Sequence, residues 1–332
     1  MAGMSPFALR RPTSLAQAAG LLASEPGARL LAGGTGLLPN LRRGIERAAT
    51  LVDLSAVAGF ARIDSSEEGV SLGAGVTLGE LAANADIAQR YRAIGQAARA
   101  VAGPSHRNAA TVGGNLCLDT RCVFYNQSEW WRAANGYCLK RGGEVCHVAP
   151  QGKHCHAAFS GDLAPALLVL GAEIELVSTR GTRRIALADL YRDDGAAHLT
   201  IAADEVLARI VVAGSAGTVS GYRKASVRGA VDFPLAGVAC SLSLRDGELA
   251  ALRLAITGTN SQPIVLAGTE ALTGRPISAE TLAALSKLVQ KQVSPMRTTI
   301  VQSNYRRQVA AALARRLVRE LAGRDGGAAA RG

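Results

Sequence analysis

Five cysteines lie close together in the middle of the chain: Cys117, Cys122, Cys138, Cys146 and Cys155. Thiolates can hold zinc or an iron–sulfur cluster, form disulfides, or work as redox thiols. A structureless connection this long inside a compact domain is uncommon and usually functional. Four residues separate Cys117 from Cys122, then the gaps are fifteen, seven and eight. Zinc ribbons normally carry two short Cys pairs, because one turn then presents both thiolates to one ion. Cys117–Cys122 could be one such pair, but no second follows. The same gap echoes plant-type 2Fe–2S proteins, whose next, shorter gap is missing. Spacing therefore indicates a metal loop and leaves the metal open between iron–sulfur and zinc, with disulfides or redox thiols as the remaining reading. His147, His154 and His156 each adjoin a cysteine, an awkward arrangement for joint ligation of one ion, and are read as supporting or solvent-facing. The sixth cysteine, Cys240, sits in an apolar strand pattern and reads as core.

Two glycine-rich turns stand near this stretch. Gly33-Gly34-Thr35-Gly36-Leu37-Leu38-Pro39 follows the short apolar run Leu30-Leu31-Ala32. Glycines permit positive φ and can aim successive N–H groups at one point, a nest for phosphate; a plain tight turn is the other reading. Thr111-Val112-Gly113-Gly114-Asn115-Leu116 opens the cysteine stretch, and Ser160-Gly161-Asp162-Leu163-Ala164-Pro165 closes it. Asp162 can serve a ligand or cap a helix over Ala164–Ala172. Gly73, Gly75 and Gly79 have the spacing GxGxxxG rather than that of a dinucleotide fingerprint. Thr77-Leu78-Gly79-Glu80 reads there as a capping box.

The elements that must carry these residues are legible from periodicity. Ser14-Leu15-Ala16-Gln17 reads as a capping box, and Leu15, Ala18, Ala19 and Leu22 share one helical face. Leu51-Val52-Asp53-Leu54 reads as a strand, as does the alternation Val70, Leu72, Ala74, Val76. A helix with Ile94, Ala97, Ala98 and Val101 on one face stops at Gly103-Pro104. Strands are predicted at about Glu173–Ser178 and Ala208–Val212. Val238–Leu244 and Leu249–Ile256 flank Arg245-Asp246-Gly247-Glu248, a strong hairpin signal. Helices are predicted over about Ala279–Gln290 and Ser303–Leu321, and no internal repeat is found.

The chain has 332 residues, 48% hydrophobic and 19% charged, as in a globular protein of two or three domains. Aromatics make up only 4%, so Ala, Leu and Val must build the cores. Thirty-seven Lys and Arg against 26 Asp and Glu give a net charge of +11. The charge is dispersed and no recognition motif accompanies it, which argues against nucleic-acid binding. Arg306, Arg307, Arg315, Arg316 and Arg319 read as a solvated or protein-docking helix face. No run of about 18 apolar residues would span a membrane, and no signal peptide opens the chain. The expected location is the reducing cytoplasm, where clustered cysteines favour metal over disulfide.

Taken together, Leu31-Ala32-Gly33-Gly34-Thr35-Gly36-Leu37-Leu38 and Thr111-Val112-Gly113-Gly114-Asn115-Leu116 resemble the paired FAD loops of the flavoprotein subunits of molybdenum hydroxylases. These are the xanthine dehydrogenase and carbon monoxide dehydrogenase relatives. Phe7…Arg11-Pro12-Thr13-Ser14-Leu15, Asp162-Leu163, Tyr222-Arg223-Lys224…Arg228…Asp232 and Ser303-Asn304-Tyr305-Arg306 fit too. The resemblance covers nearly the whole chain. It implies an α+β protein: a two-subdomain FAD-binding fold of the vanillyl-alcohol-oxidase/PCMH type, then a C-terminal antiparallel sheet with helices. The expected divisions are 1–57, 58–216 with a cysteine-rich insert at about 117–157, 217–322, and a disordered tail at 323–332.

Ordinary members lack the long insert. In that respect, and in Asn115-Leu116-Cys117-Leu118-Asp119-Thr120-Arg121-Cys122 followed by Tyr125-Asn126-Gln127-Ser128-Glu129, the chain is similar to one branch, the β subunit of 4-hydroxybenzoyl-CoA reductase. That likeness implies a 4Fe–4S cluster on Cys122, Cys138, Cys146 and Cys155, with Cys117 spare. It implies FAD held by Leu31, Ala32, Gly33, Gly34, Thr35, Gly36 and Leu37 on one side and by Gly113, Gly114 and Asn115 on the other. Thr111 and Asp162 would bond phosphate, ribityl or ribose oxygens, with Lys224 contributing. The family's two adjacent basic residues after the tyrosine motif are replaced here by Val227-Arg228, with a longer gap to Asp232. Electrons would enter from ferredoxin, cross the cluster and FAD, and leave through a small 2Fe–2S subunit to a molybdopterin-binding large subunit. The implied assembly is a heterotrimer that dimerises, with no catalytic residue in this chain. Lys140, Arg141 and Lys153 would tune the cluster, dock a partner or simply be solvated.

Overall fold

The computed structural model describes residues 5–214 and 217–329, with backbone alone for 324–329. Three sheets organise it. The first is a small parallel sheet of β1 (Ala8–Arg10), β2 (Ala28–Leu31) and β3 (Thr50–Asp53), in the order β1-β3-β2. Every residue of the central strand is buried, as a strand covered on both faces requires. The connecting helix Leu15–Ser24 starts where the apolar face begins. Ser14 Oγ accepts the Gln17 N–H at 3.2 Å, and the Gln17 carboxamide turns back to the Thr13 N–H at 2.9 Å. The return bond thus lands one residue before the predicted capping-box position.

The second sheet contains β4 (Ile63–Ser66), β5 (Gly69–Gly73), β6 (Glu173–Ser178), β7 (Gly181–Ala186) and β8 (Val206–Ala213). Its order is β4-β5-β8-β6-β7 with every neighbouring pair antiparallel. Because β5 pairs with β8, the chain between β5 and β6 leaves the sheet and returns. That excursion holds the helices Leu78–Ala83 and Arg92–Ala100, the second glycine motif and the cysteine stretch. Thr77 and Glu80 form the predicted capping box in full.

The third sheet is antiparallel, ordered β12-β11-β10-β9, from β9 (Val219–Ala225), β10 (Ala236–Arg245), β11 (Glu248–Thr257) and β12 (Ile264–Val265). Asp246 and Gly247 close the hairpin with φ of 53° and 81°, the left-handed pair that matches strand twist. Side chains alternate across β10. Ala239 joins the core shared with the first two sheets, whereas Val238 and Cys240 join a second core beneath the helices Ala279–Gln292 and Ser303–Ala329. Cys240 is fully buried there, as its sequence context suggests.

The C-terminal region departs from expectation at two points. Arg306 does not belong to a solvated face: it is completely buried, while Arg315, Arg316 and Arg319 are exposed. Its guanidinium donates to the carbonyls of Leu235, Met296 and Gly258 and to Thr298 Oγ1. Periodicity could not foresee that, because a fork with five donors can replace a carboxylate partner by several carbonyls. The last helix also continues to Ala329, into the tail read as disordered; residues 330–332 lie outside the described residues. So do residues 215 and 216, where the sequence places a domain boundary. Among the described residues no helix is long and apolar enough to cross a membrane.

Candidate functional site

A cleft of ≈ 780 Å³ opens between the first two sheets, a volume suited to a cofactor-sized ligand. Ala32, Gly33, Gly34, Thr35, Gly36 and Leu37 form one wall, and Thr111, Gly113, Gly114 and Asn115 form the facing one. The predicted pairing of two distant glycine motifs is therefore present, although the motifs contribute differently. In the first, Gly34 takes φ of 69°, and Gly36 begins the helix Leu37–Arg42 with no side-chain cap. At the start of this helix the Leu38 N–H is given to Gly34 O at 3.0 Å and Pro39 has none, so the donors left for a phosphate are those of the glycine loop itself and of Leu37.

The second motif is not a nest but a helical turn, Val112–Leu116, capped by Thr111. The Gly113 N–H is given to Ala74 O at 2.8 Å, the Asn115 N–H to Thr111 O at 2.9 Å and the Gly114 N–H to Thr111 Oγ1 at 3.1 Å. Its glycines supply closeness rather than donors: a Cβ on Gly113 would stand 2.8 Å from the Ala74 Cβ. The Thr111 hydroxyl hydrogen still remains to donate. Leu31, named with the first motif, packs instead with Leu41, Ala48 and Leu51 below it.

Asp162 also lines the cleft and is buried. Its side chain makes no helix cap; Asn115 Oδ1 takes that part, accepting the Leu163 N–H at 3.0 Å. The Asp162 carboxylate instead accepts the Tyr222 hydroxyl at 2.6 Å and Lys224 Nζ at 3.2 Å. Burial pushes this carboxyl up to about 6, against the lowering pull of Lys224 and the Tyr222 hydrogen bond. Lys224 stands behind Asp162 rather than in the cleft wall, and it also donates to Ala100 O at 3.0 Å. Arg228 and Asp232 reach the cleft, with the Asp232 carboxylate accepting the N–H groups of Val227 and Arg228. Three further lining residues, His198, Glu205 and Phe233, carried no sequence signal, since each is an isolated residue in an ordinary context, and Arg121 entered only within the run that carries the resemblance.

Four of the five clustered cysteines, Cys122, Cys138, Cys146 and Cys155, line a second, separate cavity. Cys117 is the exception and lines the cleft. Phe124, Tyr125, Val148 and Ala157 supply apolar wall, and Ile45 closes the small core around Cys122 and Cys155. Arg132, 2% exposed, ties this segment down by donating to the carbonyls of Tyr125, Gln127 and Gly44. All six cysteines are unpaired. Burial raises the Cys122 thiol and pushes Cys155 up to about 12, the latter against an Ala157 N–H and the Lys140 charge. The free volume among the thiols is ≈ 10 Å³, so anything larger than an ion enters only as those side chains rotate. Among the described residues no three His, Cys, Asp or Glu side chains already converge on a single-ion site. The metal question thus rests on the donor set, four cysteines around one water-poor space. His147 borders this cavity with Nε2 2.7 Å from Tyr137 O, and the rings of His154 and His156 pack together at 4.3 Å.

Cleft, glycine walls and sheet order define a dinucleotide-binding flavoprotein domain joined to a second α+β unit. Residues 5–212 match the family model described as the FAD binding domain in molybdopterin dehydrogenase, and residues 220–321 match that of the CO dehydrogenase flavoprotein C-terminal domain. The chain belongs to this family of FAD-binding molybdenum hydroxylase subunits and binds FAD. It is 27% identical over 326 residues to the putative xanthine dehydrogenase FAD-binding subunit of Escherichia coli, covering 96% of each chain. It is 31% identical over 270 residues to the aldehyde oxidoreductase FAD-binding subunit of the same organism, covering 78% of this chain and 83% of the other. In fold it is similar to a chain of CO dehydrogenase from Oligotropha carboxidovorans, with a TM-score of 0.80, 24% identity, and coverage of 98% of this chain and 100% of that one.

Proposed function

We propose that this chain is the electron-relay subunit of a molybdenum-containing reductase of the 4-hydroxybenzoyl-CoA type. FAD would occupy the cleft, and a 4Fe–4S cluster would be held by Cys122, Cys138, Cys146 and Cys155. The observation that supports this most is the partition of the clustered cysteines: four surround one buried cavity, the number a cubane takes, and Cys117 is left to the cleft. When bound, the cluster exchanges single electrons and the flavin converts between single electrons and pairs. The chain's own residues bind and insulate. The first glycine loop offers N–H groups to phosphate, the second brings bare backbone close, and the buried Cys122, Cys146 and Cys155 keep water from the metal space.

The two sites also share a wall. Cys117, Leu118, Asp119 and Arg121 line the cleft, and the very next residue, Cys122, lines the cysteine cavity. Arg121 and Cys122 are successive residues, so a single stretch of chain carries both linings. Substrate chemistry would fall to a molybdopterin-binding large subunit reached through a small 2Fe–2S subunit, with ferredoxin as donor, in the cytoplasm.

A second reading follows from the relatives. Those named xanthine dehydrogenase, aldehyde oxidoreductase and nicotine 6-hydroxylase favour an FAD subunit of another molybdenum hydroxylase; structural zinc is then the reading left for the four cysteines of the insert. Metal, acid-labile sulfide and flavin analysis of anaerobically purified protein separates the two. The proposal expects FAD with about four iron and four sulfide per chain; zinc without sulfide ends it. Assay of the whole complex with 4-hydroxybenzoyl-CoA and reduced ferredoxin, against xanthine or an aldehyde with an oxidised acceptor, tests the substrate.

A further inference from the structure

The wall between cleft and cysteine cavity contains a charge pair, Lys140 and Asp119. Lys140 lines the cysteine cavity with its side chain 7% exposed. Its Nζ lies 2.6 Å from Asp119 Oδ1, 2.9 Å from Gly195 O and 3.3 Å from Thr120 O, and also bonds Thr120 Oγ1. The same ammonium stands 4.8 Å from the Tyr125 ring centroid. More acceptors than an ammonium has hydrogens surround it, so its position is fixed. Asp119 faces the other way. It lines the flavin cleft, and its Oδ2 is buried with no hydrogen-bond partner. The lysine end is buried while the Asp119 side chain is 30% exposed, and a buried ammonium is costly to maintain where an apolar residue of similar size would often serve stability as well. Its placement, cation toward the thiols and anion toward the flavin cleft, is what distinguishes it.

We propose that Lys140 and Asp119 are positioning residues forming a polarised bridge that sets the relative electron affinity of the two centres. This rests on the proposed cluster in the cysteine cavity. An electron arriving there adds one negative charge, which the facing ammonium stabilises; an electron arriving in the cleft meets the Asp119 carboxylate, which opposes it. No proton or bond is exchanged by the bridge, and the electron balance is one lost on one side for one gained on the other. Net charge close to a cluster is one of the factors that tune its potential. The arrangement therefore makes the cysteine side easier to reduce and the cleft side harder.

The test is a redox titration of the purified holoprotein, following the cluster by low-temperature EPR and the flavin by absorbance. Lys140→Gln should shift the cluster's one-electron equilibrium at least about tenfold toward the oxidised form, about 59 mV, and Lys140→Arg should restore most of it. Asp119→Asn should shift the flavin in the opposite sense, toward the reduced form. A structural role alone would give no opposed signs and no rescue by arginine. Unchanged potentials in a cluster-loaded Lys140→Gln protein, or shifts of one sign in both variants, overturn the proposal. Should Lys140→Gln fail to fold, Asp119→Asn carries the test on its own. If the wild-type protein holds no iron, the cluster reading fails and the bridge falls with it, whereas unchanged potentials in iron-loaded variants end the bridge alone.

Discussion

Replacing Gly33 with alanine asks whether the two glycine walls act as one closed cradle. A Cβ at this position would run into the Ala109 carbonyl oxygen and lie 2.6 Å from the Ala109 carbonyl carbon and 3.1 Å from Ala110 Cα. All three are backbone atoms leading into Thr111, so no side chain can rotate out of the way. Carbon atoms rest at about 3.5–4.0 Å, and the walls must therefore part by roughly 1 Å. Overpacking of this kind typically costs about 1–3 kcal/mol. If FAD binds only between closed walls, that cost comes out of its affinity, a fall of about 5- to 150-fold. Gly20→Ala is the control. It lies in the helix Leu15–Ser24 outside the cleft lining, and a Cβ there would meet nothing within 4 Å, so affinity should stay near wild type. Titrating apoprotein with FAD and following quenching of flavin fluorescence measures both, with melting curves to confirm the fold. Wild-type affinity in Gly33→Ala, or an equal loss in Gly20→Ala, would refute the reasoning.

The cysteine partition makes a paired prediction: Cys138→Ser keeps FAD and loses iron, visible cluster absorbance and the EPR signal, whereas Cys117→Ser keeps both cofactors. Full iron content in Cys138→Ser would remove it from the ligand set. A pH dependence follows from His198, whose Nε2–H donates to Leu118 O at 3.0 Å in the cleft wall. Burial, joined by the Lys140 charge, pushes this imidazole down to about 4 from 6.5. Between those values the unfolded chain takes up a proton that the folded chain refuses, so its stabilising contribution is full above about 6.5 and is lost as pH falls toward 4. Urea titrations at about pH 7 and about pH 5 should show a smaller acid loss in His198→Gln; an unchanged slope would mean that another group carries it.

Short-range signals are legible in the residue order alone. Thr77 and Glu80 form their capping box, and Asp246-Gly247 its left-handed hairpin turn. Both depend on backbone torsions and hydrogen bonds within four residues. The two glycine motifs could be paired by resemblance, and they do face one another across a cleft. Their division of labour was not legible. That the N–H groups of Gly113, Gly114 and Asn115 are already used depends on where Ala74 and Thr111 stand. Likewise Asn115, not Asp162, caps the helix after the insert, which leaves Asp162 to Tyr222 and Lys224 from a strand some sixty residues later.

By itself, the order of residues determined the helices with an apolar stripe, the turns that need glycine, and the presence of a cysteine-rich excursion. Those are properties of neighbours along the chain, set by torsional preference and periodic burial. Only the tertiary structure decided that Arg306 is buried among carbonyls and that Lys140 and Asp119 meet between two cavities, and it set Cys117 in the cleft apart from the other four cysteines, a division the resemblance alone had implied. Each of these is fixed by which distant segments meet. Spacing along a flexible stretch leaves the direction of a side chain undetermined until β5 and β8 pair and close the excursion into a wall.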